Sequence, residues 1–167
     1  MIDLHADILE MDEHSAPEKQ RLRLWLRLLK VSRYIESELR ERLRKQFKTT
    51  LPRFDVMAAL YRCEGGLKMT ELSAALRVSN GNVTGIVERL VSEDLVVREP
   101  IPGDRRAMRV CLTEIGRKEF THMAAVHQEW IDELLAGISA DDAELVCQLL
   151  DAGMAADTNR LAGVQDD

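Results

Sequence analysis

Leu28, Val31, Ile35, Leu39 and Leu43 recur at steps of three and four, the period of one helix face. The spacing predicts a first helix that runs to about Phe47. Ser15-Ala-Pro-Glu18 reads as its capping box, with Pro17 in the first turn, where a missing N–H does no harm. "TTLP" breaks the pattern. Pro52 opens a second helix with Phe54, Met57, Leu60 and Tyr61 as its apolar positions, and Glu64-Gly65-Gly66 ends it. Leu67 to Met69 reads as a connector before a third helix, from about Thr70 to Arg77, with Leu72, Ala75 and Leu76 as its apolar positions. A tight link, "VSN", follows with Ser79 as the cap. The fourth helix then buries Val83, Ile86, Val87 and Leu90. After "SED" the period drops to two. "LVVREP" and "RAMRVCL" read as strands, and "IPGDRR" between them supplies the Pro and Gly of a turn. Thr113 caps a long helix carrying Met123, Val126, Trp130 and Leu134. Ser139-Ala-Asp-Asp caps a last helix with Val146, Leu149, Leu150, Met154 and Leu161.

A tri-helical core with a β-hairpin straight after its third helix is a winged helix-turn-helix, here with a long helix before it and two after. The expected fold is mainly α with a small β-hairpin wing. Few Gly and Pro and only 4% aromatic residues agree with a helix-rich chain. The acidic N-terminus "MIDLHADILEMDEHS" is not a secretory signal, and no apolar run reaches the roughly 18 residues of a membrane span. Three cysteines, an odd number without metal or redox spacing, favour a reduced, cytoplasmic setting.

The net charge of −6 conceals its layout. Residues 1–20 carry −5, residues 21–53 carry +8, residues 54–112 are neutral, and residues 113–167 carry −9. A polyanion responds to the local field within about 10 Å, so the acidic total does not exclude one.

The fourth helix carries the candidate chemistry. Opposite its apolar stripe lie Asn80, Gly81, Asn82, Thr84, Gly85, Glu88 and Arg89. Asparagine can bond an adenine edge through two atoms, and threonine can bond a base or touch a thymine methyl. Two glycines let the backbone approach a surface, and free N–H groups at the helix start face phosphate. Cations come from neighbours: Arg53 at a helix start, Arg77 at the turn, and Arg105, Arg106 and Arg109 on the hairpin. Phosphate contacts position a protein on DNA while base contacts specify sequence, so the two tasks fall on different elements.

From "MTELSAALRVSN" through "DRRAMRVCLT" to "EIGRKEF", the chain resembles the MarR family of bacterial winged-helix regulators, over about Leu22 to Leu150. The resemblance implies a double-stranded operator as partner, read by the fourth helix, with Arg106 entering the minor groove and Asp104 orienting it. It also implies a homodimer joined through the terminal helices. The domains expected on this basis are an acidic arm (1–17), a dimerisation and ligand-side helix (18–50), the DNA-binding winged helix-turn-helix (51–112) and C-terminal dimerisation helices (113–167). "LWLRLLK", "TTLPRFDVMAAL" and "SNGNVTGIVERL" look like the subgroup that senses hydroxycinnamoyl-CoA and related aromatic thioesters. That likeness implies a repressor of aromatic-acid catabolic genes, released by an aromatic acyl-CoA or aromatic acid. Arg33, Arg40 and Arg44 would meet the anion, and Trp25, Tyr34, Phe54, Met57 and Met123 would line an apolar pocket.

A cysteine-based redox regulator on the same scaffold is the alternative, weakened because no cysteine precedes Cys63. The four histidines form no ligand cluster, so no metal is expected, and no cofactor. The chain has no phosphate loop, catalytic triad order or metal-helix motif, which excludes the common enzyme classes.

Overall fold

The computed structural model describes residues 17–101 and 103–162; the side chains of residues 80, 104–106 and 156–162 lie outside that description. The expected Ser15 cap also falls outside it. Among the described residues, six helices and three strands follow in the order α1 (Pro17–Phe47), α2 (Leu51–Arg62), β1 (Leu67–Lys68), α3 (Met69–Leu76), α4 (Asn80–Ser92), β2 (Val96–Ile101), β3 (Asp104–Leu112), α5 (Glu114–Leu134) and α6 (Ala140–Ala162). The strands form one antiparallel sheet ordered β1-β3-β2. The chain divides into two compact units, residues 1–128 and 129–167.

In the first unit, α1 stops where the sequence predicts. Lys48 turns left-handed (φ 53°) and the Thr49 N–H donates to the Leu43 carbonyl at 3.4 Å. The core gathers Leu39 and Leu43 of α1, Phe54, Val56, Met57 and Leu60 of α2, Leu72 of α3, Val83, Val87 and Leu90 of α4, Val110 of β3, and Phe120 and Met123 of α5. Ile86, expected inward, is only half-buried, because it lies one position off the Val83–Val87–Leu90 stripe. Phe54 stacks on His127 with centroids 4.7 Å apart and meets Phe120 at 5.3 Å. Loss of solvation holds the His127 pKa below its ordinary value, which favours the neutral ring.

Three local expectations need correction. Leu67-Lys68 is a strand rather than a plain connector, paired Leu67↔Val110 and Lys68↔Arg109. Two residues are too few for alternation to show in sequence. Gly66 (φ 74°) permits this approach, since a Cβ there would lie 2.7 Å from the Val110 oxygen and against Cys111 Sγ. The hairpin turn is shorter than "IPGDRR": β2 reaches Ile101 and β3 begins at Asp104. The register passes from Pro100↔Met108 to Ile101↔Asp104, leaving Arg105, Arg106 and Ala107 as surplus on β3. The Ser79 hydroxyl makes no cap bond; its carbonyl instead accepts the N–H groups of Asn82 and Val83.

The other two caps form as expected. Thr113 Oγ1 accepts the Gly116 N–H at 2.9 Å and donates to the Asp94 carbonyl at 2.6 Å. Ser139 Oγ accepts the Asp142 N–H at 3.1 Å at the start of α6, in the second unit. There Leu145, Val146, Leu149, Leu150 and Met154 are all exposed in the single chain.

Gly116 is fixed by contact. A Cβ at this position would sit 2.8 Å from the Leu95 carbonyl carbon and closer still to its oxygen. Gly85 has nothing within 4 Å of such an atom. Gly116→Ala should therefore lower unfolding free energy by about 2 kcal/mol or more. Gly85→Ala should raise it by about 1 kcal/mol through helix propensity. Chemical denaturation of the two variants checks both signs; equal effects would refute the assignment.

Candidate nucleic-acid interface

Helices α3 and α4 meet through a turn in which Arg77 is left-handed (φ 53°) and the Val78 N–H donates to the Ser73 carbonyl at 3.2 Å. This satisfies the last carbonyls of α3 without a glycine. Arg77 is exposed there. The α4 surface then divides by helical period. Val83, Val87 and Leu90 are fully buried. Thr84 is half-buried and Glu88 exposed on a second stripe. Gly81, Asn82, Gly85, Ile86 and Arg89 form a third, and this stripe is one wall of a cavity of about 660 Å³.

The opposite wall of the cavity comes from Glu36 and Arg40 of α1 and Thr50, Pro52, Arg53 and Asp55 at the start of α2, with Leu76 and Val78 at one end. Its charges are partly spent within the protein. Arg40 pairs with Glu36 one turn away, and Arg53 pairs with Glu93 at the end of α4. Restricted solvation pushes the Asp55 carboxyl above its ordinary pKa, opposed by Arg40 and reinforced by Glu36. Among the described residues, the Arg89 guanidinium has no ion-pair partner.

The site residues expected from sequence are distributed as follows. Asn82 and Arg89 are exposed and line the cavity. The side chains of Asn80, Asp104, Arg105 and Arg106 lie outside the described ones, although their backbones begin α4 and form the tip of β3. Two cations counted toward phosphate are committed elsewhere: Arg53 to Glu93, and Arg109 to Glu99 at 3.0 Å and the Gly65 carbonyl at 2.8 Å. Of the eight expected ligand residues, Arg40 alone lines this cavity. Phe54, Met57 and Met123 are core, Phe54 against Phe120 of α5. Trp25, Arg33 and Tyr34 lie exposed on α1. Arg44 and Lys45 hold the Glu41 carboxyl down at about 2, so that part of the basic face is internally balanced. Glu36, Thr50, Pro52 and Asp55 escape sequence reasoning. Their one sequence signal is the Gly81/Gly85 pair, one turn apart, which leaves room beside the helix.

Burial first, then Glu99, raises the Cys111 thiol pKa, which disfavours its reactive thiolate. Among the described residues no group of His, Cys, Asp and Glu could hold a metal ion, and no helix is long and apolar enough to cross a membrane.

Comparison with known proteins agrees with this geometry. The MarR family profile matches residues 49–108, from the end of α1 into the hairpin. The transcriptional repressor NicR of Pseudomonas putida is 32% identical over 106 residues, 64% of this chain and 66% of its own length. A MarR family transcriptional regulator from Silicibacter pomeroyi superposes with a TM-score of 0.70 at 31% identity, covering 85% of this chain and 98% of that one. A cysteine-to-serine mutant of MarR from E. coli, solved in complex with operator DNA, gives a TM-score of 0.66 at 28% identity, covering 83% of this chain and 98% of that one. The same winged-helix scaffold thus recurs in relatives that regulate transcription, and the chain belongs to the MarR family of winged-helix DNA-binding transcriptional regulators.

Proposed function

We propose that the protein is an effector-released repressor that binds a pseudo-palindromic operator as a homodimer. One observation carries this reading: the stripe Gly81–Arg89 of the DNA-reading helix is also a wall of the cavity. A ligand in the cavity therefore touches the helix that must fit the groove. If it binds best to a helix position that does not fit DNA, occupancy and operator binding oppose each other. A volume of about 660 Å³ suits an aromatic acid or the acyl end of an aromatic thioester. Arg89, with no ion-pair partner among the described residues, and Arg40 are the anion's counter-charges. NicR's description as a repressor supports the sign of regulation.

Asn80, Asn82 and Thr84 take the base contacts in this reading. Arg77, Arg89 and Arg105 take phosphates. Arg106, aligned by Asp104, takes the minor groove, whose concentrated negative potential favours arginine. Dimerisation rests on apolar exposure at both ends of the chain. Helix α1 exposes Leu22, Leu24, Trp25, Leu28, Val31 and Tyr34, and α6 exposes its own stripe. A second copy covers them, aided by the opposite charges of residues 21–53 and 113–167. The segments thus serve as first dimerisation helix (18–50), DNA-binding domain (51–112) and closing dimerisation helices (113–167).

On an operator duplex selected from random sequence, Arg106→Ala should weaken binding at least about tenfold at moderate salt, with the melting temperature unchanged. Unaltered affinity would refute the wing contact. Asn82→Ala should change which duplexes are selected more than it changes affinity for unselected DNA; a uniform loss on all sequences would refute its base contact. A parallel thermal-shift and gel-shift screen of aromatic acids and their coenzyme A thioesters should yield a ligand that stabilises the protein and releases DNA. Its potency should fall in Arg40→Ala. A ligand equally potent on that variant acts elsewhere, and free acids acting while thioesters do nothing would remove the thioester form of the proposal.

A further inference from the structure

Sequence position assigns the Arg109 charge to a DNA phosphate, and its surroundings argue otherwise. It stands at the root of the hairpin, in register with Glu99 on β2 and Lys68 on β1. Its guanidinium forks. One nitrogen donates to Glu99 Oε2 at 3.0 Å and another to the Gly65 carbonyl at 2.8 Å, while Nε is enclosed with no acceptor. The two acceptors belong to different elements, β2 and the loop between α2 and β1. Cys111 packs on the same side, with Sγ 3.8 Å from Glu99 and 4.0 Å from the Gly65 carbonyl. The cation of Lys68 opposite makes this an unfavourable place for Arg109 unless both acceptors hold it.

We infer that Arg109, clamped by Glu99 and Gly65, is a positioning residue that fixes the angle at which the hairpin leaves the domain. This rests on the reading that the hairpin contacts DNA. The mechanical reason is leverage. Beyond the Glu99↔Arg109 pair the ladder has only Pro100↔Met108 and Ile101↔Asp104, with three unpaired residues between them on β3. Arg106 is three residues further out, roughly 10 Å at strand rise. A small tilt at the root therefore moves the tip by ångströms, enough to break a hydrogen bond. Arginine suits the place because its planar fork meets two acceptors at once, whereas the lysine ammonium is a point charge on a flexible stem.

The test exploits a difference in sign. Glu99→Ala removes a negative charge and frees Arg109, so electrostatics alone predicts tighter DNA binding. Positioning predicts the reverse. Fluorescence anisotropy would compare the full-length wild type, Glu99→Ala, Arg109→Lys and Arg106→Ala. The probes are a duplex selected by the wild type from a random library and a scrambled duplex of equal length. Glu99→Ala and Arg109→Lys should each bind the selected duplex about tenfold more weakly, with scrambled-duplex affinity equal or slightly raised, so the specificity ratio falls. Circular dichroism and melting confirm the fold, and either variant suffices if the other does not fold. If Arg106→Ala weakens binding while both clamp variants match or exceed the wild type, the clamp is refuted and the wing contact stands. If Arg106→Ala binds normally, the wing reading falls and this inference falls with it.

Discussion

The main-chain carbonyls of Asp94 and Leu95 are the point on which α4, the hairpin and α5 all depend. Asp94 is left-handed (φ 59°), and the Leu95 N–H closes α4 on the Leu90 carbonyl at 3.0 Å. The Leu95 carbonyl accepts the Thr113 N–H at 3.1 Å, and the Asp94 carbonyl accepts the Thr113 hydroxyl. The end of α4, the base of the hairpin and the start of α5 thus share two peptide groups. Gly116 allows this because only a residue without Cβ can lie against Leu95. Buried peptide groups must be satisfied, so the junction has little freedom to adjust one element without the others.

Around that junction charge is used in two ways. Arg53 and Arg109 face carboxylates with an enclosed Nε, and they join elements distant in sequence. Arg77 is exposed at the tip of a turn and Arg89 borders the cavity. A linear count gives these four arginines equal weight. Their environments do not: a guanidinium already forked onto internal acceptors must break those bonds before it can neutralise phosphate. In the proposed reading, this is how a central segment with no net charge serves a polyanion. Its available cations sit where the fold presents them.

The sequence disclosed what periodicity and punctuation encode. The α1 end at Phe47, the Thr113 and Ser139 caps, the buried Val83–Val87–Leu90 stripe and the order of helices and hairpin all follow from spacing. It could not disclose β1, whose two residues carry no period, or the shorter turn, because a Pro-Gly pair marks a bend without fixing the register of its flanks. The cavity is hidden for a related reason. Its walls come from α1, α2 and α4, and their approach depends on tertiary distance. In sequence, Gly81 and Gly85 suggest a route to a partner's surface, while the space beside them also opens inside the molecule. Phe54, Met57 and Met123 resemble pocket residues on paper because an apolar residue's identity does not reveal which apolar surface it joins.

The surplus of Arg105, Arg106 and Ala107 on β3 separates reach from architecture. All the pairings that hold the sheet to the helices lie on the domain side of it. Residues could be gained or lost within the loop without shifting a single inward-facing side chain. Natural variation in finger length among such proteins should therefore be tolerated there more readily than one residue's slip between Val96 and Pro100, which would turn a buried face outward.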